Sequence, residues 1–102
     1  MQTVDIEGVF LEVAHIAAPA GADAAQAPLV FLHEGLGSVA MWRDWPASLC
    51  ADTGRAGWVY SRRGYGRSSP VADVRGVGRL QPDYMHREAL DVLPKLLARL
   101  GL

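Results

Sequence analysis

Pro28-Leu-Val-Phe-Leu-His33-Glu-Gly-Leu-Gly37-Ser38, with Trp42-Arg43 following shortly after, is the stretch that decides the fold. Leu29 to Leu32 is a short continuous apolar run, the pattern of a strand buried on both faces. It runs into a glycine-rich turn, and the residues beyond the turn read as a helix. Glycine has no Cβ, so backbone N–H groups at such a turn can face a ligand closely. The ligand this arrangement suits is an anion: a carboxylate, a phosphate, or the oxyanion of an acyl-transfer intermediate.

Working outward, Val4 to Ile16 alternates and contains a turn signal at Glu7-Gly8, which predicts a β-hairpin. Val9, Leu11 and Val13 fall on one face, Phe10 and Glu12 on the other. Residues 17–27 are rich in Ala, Pro and Gly and read as an exposed loop. Val39 to Thr53 reads as a helix, with Ser38 as its cap, Gly54 as its stop, and Met41, Trp45, Leu49 and Cys50 on one face. Trp58 to Tyr60 is the next strand. It ends in a second glycine-rich turn, Ser61-Arg-Arg-Gly64-Tyr-Gly66-Arg-Ser68-Ser-Pro70. Val71 to Pro82 has little pattern. Asp83 to Leu100 is the last helix, with Asp83 as cap and an apolar stripe Leu90, Leu93, Leu97, Leu100. Pro94 inside it should kink it or remove a hydrogen bond.

The expected fold class is therefore α/β: one domain over residues 1–102, with a hairpin at 1–16, a loop at 17–27 and strand-helix-strand-helix over 28–102. Alternating strands and helices imply a parallel sheet with covered faces. A further strand should follow the last helix, and none does within the sequence. The expectation is the N-terminal part of a longer sheet, with an exposed edge at Leu29–Leu32 that invites self-association.

Composition narrows the function classes. The chain has 102 residues, half of them apolar, about a fifth charged, and a net charge of −1. That balance argues against a nucleic-acid surface. No apolar run approaches the ~18 residues of a membrane span, and the N-terminus lacks the signature of a signal peptide. A cytoplasmic protein with no membrane partner is expected. Cys50 is the only cysteine and reads as a buried filler. Three histidines and one cysteine occur without metal-ligand spacing, so no metal is expected.

At this point the sequence resembles the α/β-hydrolase family. There the third strand ends in a His-Gly motif, a Trp follows on the next helix, and the fourth strand ends in Arg-Gly-x-Gly-x-Ser. His33, Trp42 and Arg63-Gly-Tyr-Gly-Arg-Ser68 stand in those places. The resemblance covers most of the chain and implies a serine hydrolase that cleaves an ester, thioester or similar bond in a small organic substrate, with no organic cofactor. It implies that Gly35, with Leu36 beside it, supplies an oxyanion-hole N–H, and that His33 supports the turn rather than acting as base. Two departures stand out. Glu34 occupies a position that is usually Gly, which puts a charge close to the hole or lets it brace Arg62 or Arg63. Ser61 occupies a position where Asp is common.

The nucleophile is missing: no Gly-x-Ser-x-Gly elbow occurs in the sequence. Ser68 comes nearest and reads as a turn residue. His15 and His86 have no nucleophile to serve. The 102-residue chain alone is therefore expected to be inactive, its nucleophile, acid and base lying elsewhere. Two other readings compete. Gly35-Leu-Gly37-Ser-Val-Ala40 fits a dinucleotide fingerprint, with Arg62-Arg63 placed for the 2′-phosphate of NADP. The chain could also be a non-catalytic module that pairs through its open sheet edge.

Overall fold

The computed structural model describes residues 2–35, 37–71, 75–76 and 80–102. Among the described residues four strands form one sheet: β1 (Gln2–Ile6), β2 (Val9–Ile16), β3 (Leu29–Leu32) and β4 (Gly57–Tyr60), in the order β1-β2-β4-β3. β1 and β2 are the expected hairpin. Glu7 and Gly8 both have positive φ, 52° and 90°, which is the two-residue turn whose twist matches paired strands. The Asp5 carboxylate accepts the Gly8 N–H at 2.8 Å.

The expected parallel sheet is mixed. β3 and β4 run parallel, but β2 pairs antiparallel with β4, from Val13↔Tyr60 to Ile16↔Gly57. The hairpin supplies the reason. Its second strand is long enough, at 8 residues, to present one edge to β1 and its far half to β4. β3 is left as an edge strand.

Helices cover opposite faces, because successive side chains of a strand alternate. On one face Phe31 and Val59 pack with Cys50 of α1 (Trp45–Thr53), flanked by Ala14, Ile16 and Leu29. On the other, Ile6, Leu11, Val13 and Tyr60 pack with Leu96 of α3 (Leu93–Arg99). α3 lies toward β1, so the same face of β3 is left bare and Leu32 is 54% exposed.

Both helices differ from expectation. Residues 39–53 are not one helix. A 3-10 turn (Ala40–Trp42) is separated from α1 by Arg43, at φ 54° and ψ −132°. Pro46 is the cause: a continuous helix would drive its ring into the Trp42 carbonyl, so it serves in the first turn of α1 instead. Ser38 makes no capping bond. Met41 and Trp45 are exposed, while Cys50 is buried as expected. Gly54 stops α1 in the left-handed conformation.

The last helix is α2 (Tyr84–Arg87), a π-helical turn (Glu88–Val92) and α3. The wide π turn lies just before Pro94, where the missing N–H and the ring would disturb α-helical bonding. The buried stripe is Val92, Leu93, Leu96 and Leu100, with Leu90 out in solvent. This stripe and the expected one both have helical spacing, and contact with the sheet selects between them. Burying a leucine such as Leu96 contributes roughly 1.5–3 kcal/mol. Asp83 does not cap through its side chain. Its carboxylate pairs with Arg87 one turn on, at 3.1 Å.

Candidate functional site

β3 and β4 are parallel neighbours, so the turns that follow them emerge side by side at the same end of the sheet. His33, the first residue after β3, is buried between these turns. Its Nδ1 lies 2.7 Å from the Glu34 carbonyl, which can only accept, so Nδ1 carries the proton. Nε2 is then the acceptor for the Arg62 backbone N–H at 3.0 Å. Arg62 Nη1 returns a bond to the His33 carbonyl at 2.6 Å. The ring is spent at both nitrogens. Burial, with help from the Arg62 charge and against the pull of the Glu34 carbonyl and carboxylate, holds the His33 pKa below its ordinary value.

Beyond His33 the chain makes a tight turn in which the Gly37 N–H donates to the Glu34 carbonyl at 3.0 Å. Gly37 is required sterically. A Cβ there would come within 2.6 Å of Glu34 Oε1 and 2.8 Å of His33 Cβ. Gly35 is different: a Cβ would meet nothing within 4 Å, and its N–H carries no hydrogen bond among the described residues. Leu36 lies outside the described residues. Over the turn is a cleft of about 210 Å³ lined by His33, Glu34, Gly37, Ser38, Met41 and Trp42. Trp42 stacks on Trp45, ring centroids 5.6 Å apart, and meets Phe31 edge-on. Its indole Nε1 is buried with no partner among the described residues.

The turn after β4 is organised around a residue that sequence reasoning missed. Glu12 points to the opposite face from Leu11 and Val13, yet it is only 5% exposed. Its Oε1 accepts from the Ser61 hydroxyl at 2.7 Å and the Arg67 N–H at 3.3 Å. Ser61, fully buried, also accepts the Val39 N–H at 2.8 Å, which ties the two turns together. Ser68 Oγ donates to the Ser61 carbonyl at 2.5 Å and accepts the Glu12 N–H at 2.8 Å. Its hydroxyl is committed on both sides. Gly66, at φ 52°, is the hinge of this cluster. A Cβ there would strike Glu12 Oε1 and lie 2.7 Å from Ser61 Oγ. A buried carboxylate opposite Ser61 and Gly66 could have been suspected only by asking where its charge goes once β2 becomes an interior strand.

Arg62 is buried, with its guanidinium 5.1 Å from the centre of the Tyr65 ring. It therefore braces the site and does not face outward, where the dinucleotide reading needs it. Arg62 also lines, with Arg63, Tyr84, Arg87, Glu88 and Asp91, a second cleft of about 230 Å³. There Tyr60 donates to Glu88 at 2.9 Å. Burial first, then the Glu88 carboxylate, pushes the Tyr60 pKa up. Burial likewise raises that of Glu88, against the Tyr60 bond and the Arg62 charge. His15 is exposed and packs on Trp58, and His86 is exposed on α2. Burial pushes the Cys50 thiol up, away from reactivity. No metal-binding cluster occurs among the described residues, and no described helix is long and apolar enough to cross a membrane.

The arrangement offers a cleft with an aromatic wall, a rigid support beneath, and in the same turn a Gly35 amide with no hydrogen bond among the described residues. The cleft has room for a small molecule. Among the described residues it supplies no activated nucleophile. No protein-family model matches the chain, and no curated protein or solved structure matches it either.

Proposed function

We propose that this chain provides the oxyanion-turn half of an α/β-hydrolase-type serine hydrolase acting on an ester, thioester or similar bond of a small organic molecule. The observation that carries the reading is the juxtaposition at the ends of β3 and β4: His33 and Arg62 lock two turns together under a cleft, and in the first of these turns the Gly35 amide has no hydrogen bond among the described residues. Ligand sites of open α/β sheets form at the carboxyl ends of parallel strands. A donor held there stabilises negative charge without reorganising, and losing such a donor typically costs ~10²–10³ in rate. The bare edge of β3 is where a strand leading to a nucleophile elbow would pair.

A fluorophosphonate probe tests this. The 102-residue chain should remain unlabelled, and a polypeptide extended through its following coding sequence should be labelled at a serine. Labelling of the short chain, or none of the extended one, overturns the reading. The exposed Leu32 on the β3 edge favours one second reading, a non-catalytic module that pairs through this edge. In that case the chain self-associates in sedimentation equilibrium, and Leu32→Lys makes it monomeric.

A further inference from the structure

The second cleft, of about 230 Å³, has a buried cation in its wall. Arg62 is 6% exposed, and its guanidinium stays charged wherever it is placed. A buried charge is costly unless an opposite charge and hydrogen bonds meet it. Arg62 has only part of this. Nη1 donates to the neutral His33 carbonyl at 2.6 Å, and the Tyr65 ring centre lies 5.1 Å from the guanidinium carbon. Nε is buried with no hydrogen-bond partner, and no carboxylate of the described residues is within ion-pair distance of Arg62. The other charges of the cleft are largely spent. Asp91 pairs with Lys95 at 2.7 Å, and Arg87 with Asp83 at 3.1 Å. Glu88 takes the Tyr60 hydroxyl at 2.9 Å, and the Arg62 charge acts on it without a bond between them. Arg63 Nε makes a long bond, 3.4 Å, to the Pro70 carbonyl. Among the described lining residues this leaves Arg62 and Arg63 facing Glu88, an excess of positive charge. Two guanidinium groups, one with an orphaned Nε, are the donor set that grips a carboxylate or a phosphate. The cleft is smaller than the ~300–1,000 Å³ of drug-sized sites, which suits a group of that size.

We infer that this second cleft binds a small oxyanion, a carboxylate or a phosphate group, on the guanidinium groups of Arg62 and Arg63. The anion supplies the counter-charge that Arg62 lacks. The site is separate from the cleft over the turn after β3, and it does not depend on the hydrolase reading.

The test uses the full chain at neutral pH and two probes, inorganic phosphate and acetate, each titrated at constant ionic strength against sodium chloride. Binding is followed on the Nε–H signals of Arg62 and Arg63 in ¹H–¹⁵N NMR spectra. At least one probe should shift these signals saturably, and chloride should not. Tighter binding of acetate assigns a carboxylate ligand, and tighter binding of phosphate assigns a phosphoryl group. Arg63→Gln should weaken the binding about tenfold. Glu88→Gln keeps an acceptor for Tyr60 and removes the opposing charge, so it should tighten the binding about threefold. Misfolding cannot tighten binding, so this variant decides the matter even where Arg63→Gln is unstable. No saturable shift, an equal response to chloride, unchanged affinity in folded Arg63→Gln, or no tightening in Glu88→Gln overturns the inference.

Discussion

The turns after β3 and β4 stand side by side, both rich in glycine, and their polar groups are used in opposite ways. After β4, Ser61, Ser68 and the Arg67 amide all close on Glu12 or on each other, and the hydroxyls of both serines are spent. After β3, the Gly37 amide and His33 are engaged, the Gly35 amide has no hydrogen bond among the described residues, and a cleft opens beside Gly37. The closed turn is support for the open one. Ser61 holds Val39 and the Arg62 backbone holds His33, so the rigid side fixes the geometry of the side that can meet a ligand.

If that contrast is right, the largest effect comes from breaking the closed turn. Gly66→Ala forces a side chain into a positive-φ position and against Glu12 and Ser61. It should cost about 3 kcal/mol or more, read by urea denaturation. Gly37→Ala must displace Glu34 and crowd the His33 Cβ, and should cost about 1–2 kcal/mol. Acidification sharpens the comparison at His33. Its folded pKa lies below the ordinary value of 6.5, so the unfolded chain takes up the proton first. The contribution of the neutral ring is complete above the unfolded value and is lost as pH falls below it. Glu88, whose folded pKa is raised, acts with the opposite sign, and its contribution fades as pH rises from 4.5. The two separate by difference: His33→Asn should flatten the loss of stability on going from neutral pH to about pH 5. The smallest effect is expected at the open turn. Gly35→Ala meets open space and should change stability by less than about 0.5 kcal/mol. A large loss there would mean that the Gly35 turn is as closed as its neighbour.

Much of this was legible in the sequence because it follows from local rules. The Glu7-Gly8 turn, the apolar run Leu29–Leu32, the strand ending at Tyr60 and the stop at Gly54 depend on neighbours in the chain. The break at Arg43 was also a local matter, since Pro46 announces it, yet the apolar spacing of Met41, Trp45 and Leu49 masked it. Glu12 was not legible: alternation assigned its face correctly, but not that a turn some fifty residues later would cover that face. Leu96 was hidden for a similar reason, since two apolar stripes fit the last helix equally well and only the sheet chose one.

By itself, the sequence determined where strands and turns occur, that two glycine turns follow two strands, and that no Gly-x-Ser-x-Gly elbow lies between residues 1 and 102. Backbone sterics and the period of apolar residues act over a few positions, so they can be read in one dimension. Only the tertiary structure decided that β2 inserts antiparallel beside β4, that Glu12 becomes the buried acceptor of the second turn, and that His33 and Arg62 clasp each other. Those outcomes depend on which buried polar groups find partners once distant strands are adjacent, because an unpaired buried donor or acceptor is costly and each pairing constrains the rest.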